Sequence, residues 1–545
     1  MIGTRAVGAQ TGANMAKITV HPSFEIGDIS PRLYSAFLEP IGTMVNGTMY
    51  NPTHPTADEQ GFRKDFIDKL KTEGVPAVRL PGGNFVSGWN WKDSIGPMSD
   101  RKVRLDAAWM QYIPNDVGHD EYLQWAEKVG TDPLYTINLG TMGLQDAMDI
   151  VEYTNFEGGS YWSDLRAKNG HAAPYAVKTW YLGNEMDGPW QLGSWEKDPR
   201  GYGVLSNEAS KLMKWVDPTI ETAVCVSSSP NLAHYPTWDQ EVLEQCYEAV
   251  DYISMHHYHS APPGDYGALL GGSVFFEDYI KTEIALCDLV QTKVRSPKKM
   301  MLSFDEYGTM VRPNSTLNPG NGIHSLYASH YVFNPQRKYV RHDPANMPTR
   351  PGWKDPNIVS ALANATTLFT FLRHADRVKI GCATGGLGTL AASNGQHIWT
   401  PTTYYPVAHL MKYGKGASLR CSVECPTFDI PGYAIDDNSQ YSTREGIGYL
   451  DAAAAHDKTA NEVAIFVINR DWKDDHSLTL DVKGFEGYQF IEHVEMYSDD
   501  LEAADTYDQP DAVIPTVNTK STFENGMVKA QLHKLSWNMI RLAKK

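Results

Sequence analysis

The chain has 545 residues, 42% of them hydrophobic and 11% aromatic, and carries a net charge of −17 at neutral pH. Such a length and apolar content support a large buried core in roughly two to four domains and exclude an intrinsically disordered chain. The acidic charge is spread along the sequence, which argues against nucleic acid and anionic membranes as partners, because both reward basic patches.

Residues 1–14 show neither a basic start nor a long apolar stretch, so they read as an extension without a signal peptide. No window approaches the roughly 18 apolar residues of a membrane span, and a cytoplasmic location is expected. The first strand candidate is KITVHP (17–22). Eight apolar segments follow, beginning with RLYSAFL (32–38), VPAVRL (75–80), DPLYTIN (132–138) and VKTWYL (177–182). The other four are TIETAVCV (219–226), VDYISMH (250–256), KMMLSF (299–304) and RVKIGCA (377–383). Between them lie stretches with helical spacing, such as 58–74, 121–130 and 357–375.

Strands alternating with helices are parallel βα units, and eight of them predict an α/β fold, a closed (β/α)8 TIM barrel. No glycine-rich phosphate loop follows any strand, which weakens a nucleotide-binding reading. After residue 411 the pattern changes to strand-length runs, several with period 2, at 462–470, 476–485, 491–498 and 527–542. These predict a jelly-roll-like β-sandwich that also recruits the N-terminal strand. The expected division is an extension and strand over 1–30, the barrel over 31–411 and the β-sandwich over 412–545.

Active sites of such barrels are built where the strands end. Three acids fall there: Glu39 in FLEPIG, Glu185 in WYLGNEMDGPW and Glu306 in FDEYG. Paired carboxylates facing each other suit glycoside cleavage, one protonated to serve the leaving oxygen and one ionised to attack. A single strand-end glutamate could instead do no more than pair with an arginine at the rim. Arg79, Asn84 and Asn184 add donors suited to sugar hydroxyls, and Trp89 and Trp190 add faces on which a sugar could stack. In SMHHYHS (254–260), a strand points His257 away from His256 and His259, so a shared metal ion is not expected. His256 and Tyr258 share a side, where Tyr258 can touch a catalytic carboxylate. G-x-S-x-G is absent, and SSSP (227–230) reads as a plain loop. Most of the six cysteines sit in apolar runs and read as reduced, buried thiols.

The motifs FLEPIG, VRLPGGNFVSGWNWKDSIGP, INLGT, WYLGNEMDGPWQLG, DYISMHHY and FDEYG resemble, in order, those of glycoside hydrolase family 51. Its typical members are α-L-arabinofuranosidases. The resemblance implies a retaining mechanism with Glu185 as general acid/base and Glu306 as nucleophile. It implies that Glu39, Arg79, Asn84 and Asn184 bind the furanose or orient the pair, with Tyr258 supporting the nucleophile. It implies no metal or organic cofactor, a homo-oligomer, and an arabinofuranosyl-containing oligo- or polysaccharide as substrate. DEYG stands where many members have a motif closer to DEWN, GCATGGLGTLAAS replaces a stretch rich in Gln, Val and Asn, and Pro401 replaces a sugar-contacting glutamine. The rival readings are another retaining glycosidase on this scaffold (a β-xylosidase, endo-glucanase or galactofuranosidase) or a non-catalytic carbohydrate-binding protein. The long loop 308–352 is expected to line the cleft.

Overall fold

The computed structural model describes residues 14–312, 338–341, 355–436 and 439–544. It begins with a 14-residue strand, β1 (Met15–Asp28). The next four strands are β2 (Ser35–Phe37), β3 (Ala77–Leu80), β4 (Asp132–Thr136) and β5 (Thr179–Tyr181). They are followed by β6 (Glu221–Cys225), β7 (Tyr252–Ala261), β8 (Met301–Val311) and β9 (Val378–Ala383). Strands β2 to β9 pair in chain order, and β9 pairs with β2, closing the expected eight-stranded parallel barrel. Each of the eight apolar segments read from the sequence supplies one of these strands.

Inward-facing side chains fill the barrel as a separate apolar plug, which includes Phe37, Ala77, Leu134, Tyr181, Ala223, Tyr252 and Ile380. At the strand starts, Arg32 closes the lower end. Its guanidinium donates to Thr179 Oγ1 at 3.0 Å and to the Tyr252 hydroxyl at 2.9 Å, and it pairs with Glu221 at 3.3 Å. The plug leaves only the opposite end, where the strands finish, open for chemistry.

The second layer is sheet. Besides β1 and two short edge strands (Thr516–Val517 and Thr522–Glu524), its strands are β10 (Ala417–Glu424), β11 (Leu450–Asp457), β12 (Glu462–Asn469), β13 (His476–Asp481), β14 (Tyr488–Met496), β15 (Met527–Leu532) and β16 (Ser536–Lys544). The sequence predicts a sandwich, whereas the hydrogen bonds run unbroken through one ten-stranded sheet. In its middle, β1 lies antiparallel to β10 and parallel to β13, so the N-terminal strand is recruited. Met15–Thr19 pair with β13, whereas β10 pairs with both Lys17–Val20 and Glu25–Asp28, and register shifts separate those two parts. Irregularities of this kind bend a strand and let one sheet turn a corner without breaking.

One face of the sheet rests on the barrel. In β11 and β12, Ala453, Ala455, Ala464, Phe466 and Ile468 join the barrel's core. The alternate residues Ala452, Ala454, Val463, Ile465 and Val467 join the sheet's own core. Trp537 of β16 meets Phe369 of helix Ile358–Arg373 with ring centroids 5.7 Å apart. The run 527–542 divides into two strands at Leu535, whose φ of 47° is left-handed. Among the described residues, no helix is long and apolar enough to cross a membrane.

Candidate active site

Five strands, β2, β3, β5, β7 and β8, bring the expected groups together above the plug. Arg79 of β3 is fully buried, its guanidinium 5.2 Å from the ring centroids of both Phe37 and Tyr181. Two aromatic faces and three polar partners accept this buried charge. Nη1 lies 2.6 Å from Glu306 Oε1, Nε lies 2.9 Å from Asp305 Oδ2, and Nη2 donates to Asn184 Oδ1 at 2.8 Å. Asn184 in turn donates to Asn84 Oδ1 at 3.0 Å, which joins β3 to β5 across the mouth.

In a regular strand Asp305 and Glu306 would face opposite sides. Here β8 carries one extra residue between Ser303 and Glu306 relative to β7, and again between Phe304 and Tyr307 relative to β9. The bulge turns both acids inward onto the same arginine. Glu306 Oε2 accepts from the Tyr258 hydroxyl at 2.7 Å, so each oxygen of Glu306 has its own donor.

Glu185 lies four residues past β5 with a φ of 44°, a left-handed conformation that costs a non-glycine residue about 1–3 kcal/mol. Its two oxygens face His256 Nδ1 at 3.0 Å and accept from Trp190 Nε1 at 2.6 Å. The other nitrogen of His256 lies 3.1 Å from Asp305 Oδ2. Burial opposes a charge on His256, but Glu306, Asp305 and Glu185 raise its pKa to about 10, leaving an imidazolium between acids. Burial and then the charge of Glu306 push the Glu185 carboxyl above the ordinary range, against the His256 and Trp190 hydrogen bonds. One oxygen of Glu185, one of Glu306 and a nitrogen of His256 all lie within 4.8 Å of one another. Such a spacing could also hold a cation, but both ring nitrogens of His256 already face acids.

Glu39 sits beside this pair. It accepts from the Phe85 backbone N–H at 2.9 Å and from Trp109 Nε1 at 2.7 Å. Burial and the Glu306 charge raise its pKa to about 8, against the two hydrogen bonds it accepts. The PGG turn makes room for both acids. A Cβ on Gly82, whose φ is 141°, would lie 2.7 Å from Glu39 Cγ. A Cβ on Gly83 would lie 2.8 Å from Glu306 Oε1 and 3.3 Å from Glu39 Oε2. Gly83→Ala is therefore expected to lower kcat by about 100-fold through displacement of Glu306, with the thermal unfolding midpoint little changed. Steady-state kinetics beside a melting curve checks this, and an unchanged kcat would show that the turn does not place the acid.

Two expectations are corrected. Trp89 is no sugar platform: it is buried, its indole N–H goes to Asn115 Oδ1 at 2.9 Å, and Phe85 and Tyr122 pack on its ring. The odd histidine is His256 rather than His257. Strand alternation puts His257 and His259 together behind the barrel, with ring centroids 6.4 Å apart, and His257 against Phe276. Trp190 bears on the site through its N–H to Glu185. Asp305 and Trp109 were missed. Trp109 belongs to a small hairpin (Arg104–Asp106 with Gln111–Ile113) whose apolar pattern is too short to read. Most of loop 308–352 lies outside the described residues. Its residue Val340 bridges to Gln111 of that hairpin.

Comparison with known proteins agrees with this geometry. Residues 69–269 match the family description "Alpha-L-arabinofuranosidase 1 domain", and residues 305–536 match "Alpha-L-arabinofuranosidase C-terminal domain". The intracellular exo-α-(1→5)-L-arabinofuranosidase of Halalkalibacterium halodurans is 38% identical over 97% of this chain and 99% of its own length. The corresponding Bacillus subtilis enzyme, arabinofuranosidase 1, is also 38% identical, with the same coverage of each chain. Among solved structures, a family 51 α-L-arabinofuranosidase from Bifidobacterium longum superposes with a TM-score of 0.82 at 29% identity, covering 97% of this chain and all of the other. With the expected carboxylates converging at the mouth of the same barrel, the chain belongs to glycoside hydrolase family 51, the α-L-arabinofuranosidases.

Proposed function

We propose that the protein is a retaining, exo-acting α-L-arabinofuranosidase that works by double displacement. The observation that carries this reading is the pair Glu185 and Glu306, close together but in unlike surroundings. A retaining pair needs its carboxyl groups roughly 5–5.5 Å apart and an inverting pair roughly 6.5–9.5 Å. The approach of one oxygen from each acid to within 4.8 Å supports the first.

In the first step Glu306 attacks C1 of the terminal arabinofuranoside, held in plane by Arg79 and Tyr258. Glu185, whose raised pKa keeps its proton available, gives that proton to the departing oxygen. Glu185, now ionised, then takes a proton from water, which attacks C1 and frees Glu306 with the configuration retained. Glu39, Asn84 and Asn184 are the sugar-binding groups, and Trp109 fixes Glu39. No step needs a metal or an organic cofactor.

The names of the relatives support exo action on α-(1→5)-linked arabino-oligosaccharides and a cytoplasmic site of action. A panel of nitrophenyl glycosides tests the substrate class. The α-L-arabinofuranoside is expected to be turned over at least about 100-fold faster, as kcat/KM, than the β-D-xyloside or β-D-galactofuranoside. A preference for either of the latter would overturn the assignment.

A further inference from the structure

Behind Glu185 lie three buried carboxyl groups that take no part in this reaction. Asp187, two residues beyond Glu185, is fully buried. Its Oδ2 accepts from the Ser228 backbone N–H at 3.0 Å and the Ser228 hydroxyl at 3.2 Å, and lies 2.9 Å from His234 Nε2. Burial opposes a charge on His234, but Asp187 outweighs it and raises the His234 pKa, which favours an ion pair. The preceding residue is held just as firmly. Ser227 gives its backbone N–H and its hydroxyl to Asp239 Oδ1 at 2.6 and 2.7 Å, and its carbonyl accepts from the Tyr279 hydroxyl. The SSSP stretch after β6 is therefore a clamp, with one serine on each acid.

Asp239 in turn rests on Glu283 of helix Ser273–Val294. Asp239 Oδ2 and both Glu283 oxygens have no other hydrogen-bond partner among the described residues, and both side chains are fully buried. Two neighbouring carboxyl groups in a dry interior disfavour each other's charge. Burial raises both; the charge of Asp187 adds to it at Asp239, which reaches about 7, and the charge of Asp239 adds to it at Glu283.

We propose that Asp187 is a positioning residue for Glu185, and that the buried Asp239–Glu283 pair anchors the serine clamp that holds Asp187. The left-handed backbone at Glu185 must be restrained by its neighbours. On one side the restraint is local: Gly188 N–H donates to the Glu185 carbonyl at 2.8 Å and Trp195 N–H to that of Met186 at 2.7 Å. On the other it is the Asp187 side chain, which ties the acid/base loop to the end of β6. Without that tie Glu185 turns out of line with His256 and Trp190, and its proton no longer points at the leaving oxygen.

The proposal rests on Glu185 being the acid/base, and its test uses leaving groups. The kcat/KM of Asp187→Asn is measured on an aryl α-L-arabinofuranoside with a poor leaving group (4-methoxyphenol) and on one with a good one (2,4-dinitrophenol). A misplaced acid matters only where the departing oxygen needs a proton, so a loss of about 100-fold is expected on the first and under about threefold on the second. Equal losses on both substrates, or none, overturn the role. If Asp187→Asn does not fold, His234→Ala carries the same test, with a selective loss of about tenfold. Glu283→Gln, whose amide can still donate to Asp239, keeps the wild-type ratio between substrates, whereas Glu283→Leu widens it. Equal ratios in those two variants would remove the pair from the device. Glu185→Ala, run in parallel, separates the two layers. If it shows no leaving-group dependence the acid/base assignment fails, and if it alone shows one the positioning role fails.

Discussion

Replacing Glu306 by alanine is expected to lower kcat/KM by roughly 10⁴- to 10⁶-fold on every arabinofuranoside, activated or not. The expectation follows from how much of the site is arranged around this carboxylate. Arg79 and Tyr258 each donate to one of its oxygens, and Gly83 leaves the space it occupies. The bulge in β8 turns it inward beside Asp305. Removing it leaves the anomeric carbon with no nucleophile and the Arg79 charge with one partner fewer. A good leaving group cannot compensate, because the missing bond is on the other face of the sugar. Initial-rate measurements on a nitrophenyl and an unactivated substrate check this. A residual activity above about one hundredth on either would remove Glu306 from the nucleophile's role.

The second large effect is selective. Glu185→Ala is expected to lose about 10³-fold in kcat/KM on unactivated arabino-oligosaccharides, but little on a dinitrophenyl arabinofuranoside. Its kcat on the latter falls because no base activates water in the second step, and added azide, which needs no base, should restore it. The pH profile gives an independent sign. Burial and Glu306 raise the Glu185 pKa, so the acid is protonated below that raised value and active there. Activity is lost as pH rises through it. That alkaline limb of kcat/KM should disappear in the alanine variant on the activated substrate. A profile unchanged from wild type would show that the limb belongs to another group.

The barrel was legible in the sequence because each strand is a short apolar run closed by a helix of different period, and a parallel barrel repeats that signal eight times. The sheet domain was only half legible. Strand β11, LDAAAAHD, has the composition of a helix. It is a strand because alternate alanines pack against the barrel on one side and the sheet core on the other, a tertiary demand that overrides propensity. The long run 527–542 concealed a turn at Leu535 for a similar reason, since nothing in its composition marks a left-handed residue there.

At the site, strand ends revealed Glu39, Glu185 and Glu306, and proximity in sequence added Asn84 and Asn184. Trp89 misled because a tryptophan near a sugar site and a tryptophan in a core look alike in one dimension, and only its bond to Asn115 separates them. Asp305 was hidden for the opposite reason. Strand alternation assigns it to the face away from Glu306, and a bulge cancels that alternation. Asp187, Asp239 and Glu283 are far apart in sequence, and the loop and helices that bring them together leave no local pattern.

The most direct test of the account is to trap the intermediate. Glu185→Ala, mixed with 2,4-dinitrophenyl α-L-arabinofuranoside, should complete the first displacement and stall before the second. Acid quenching, proteolysis and mass spectrometry should then find one arabinosyl ester, on the peptide carrying Glu306. An ester on any other carboxylate, or no ester together with a wild-type product whose anomeric configuration is inverted, would contradict it.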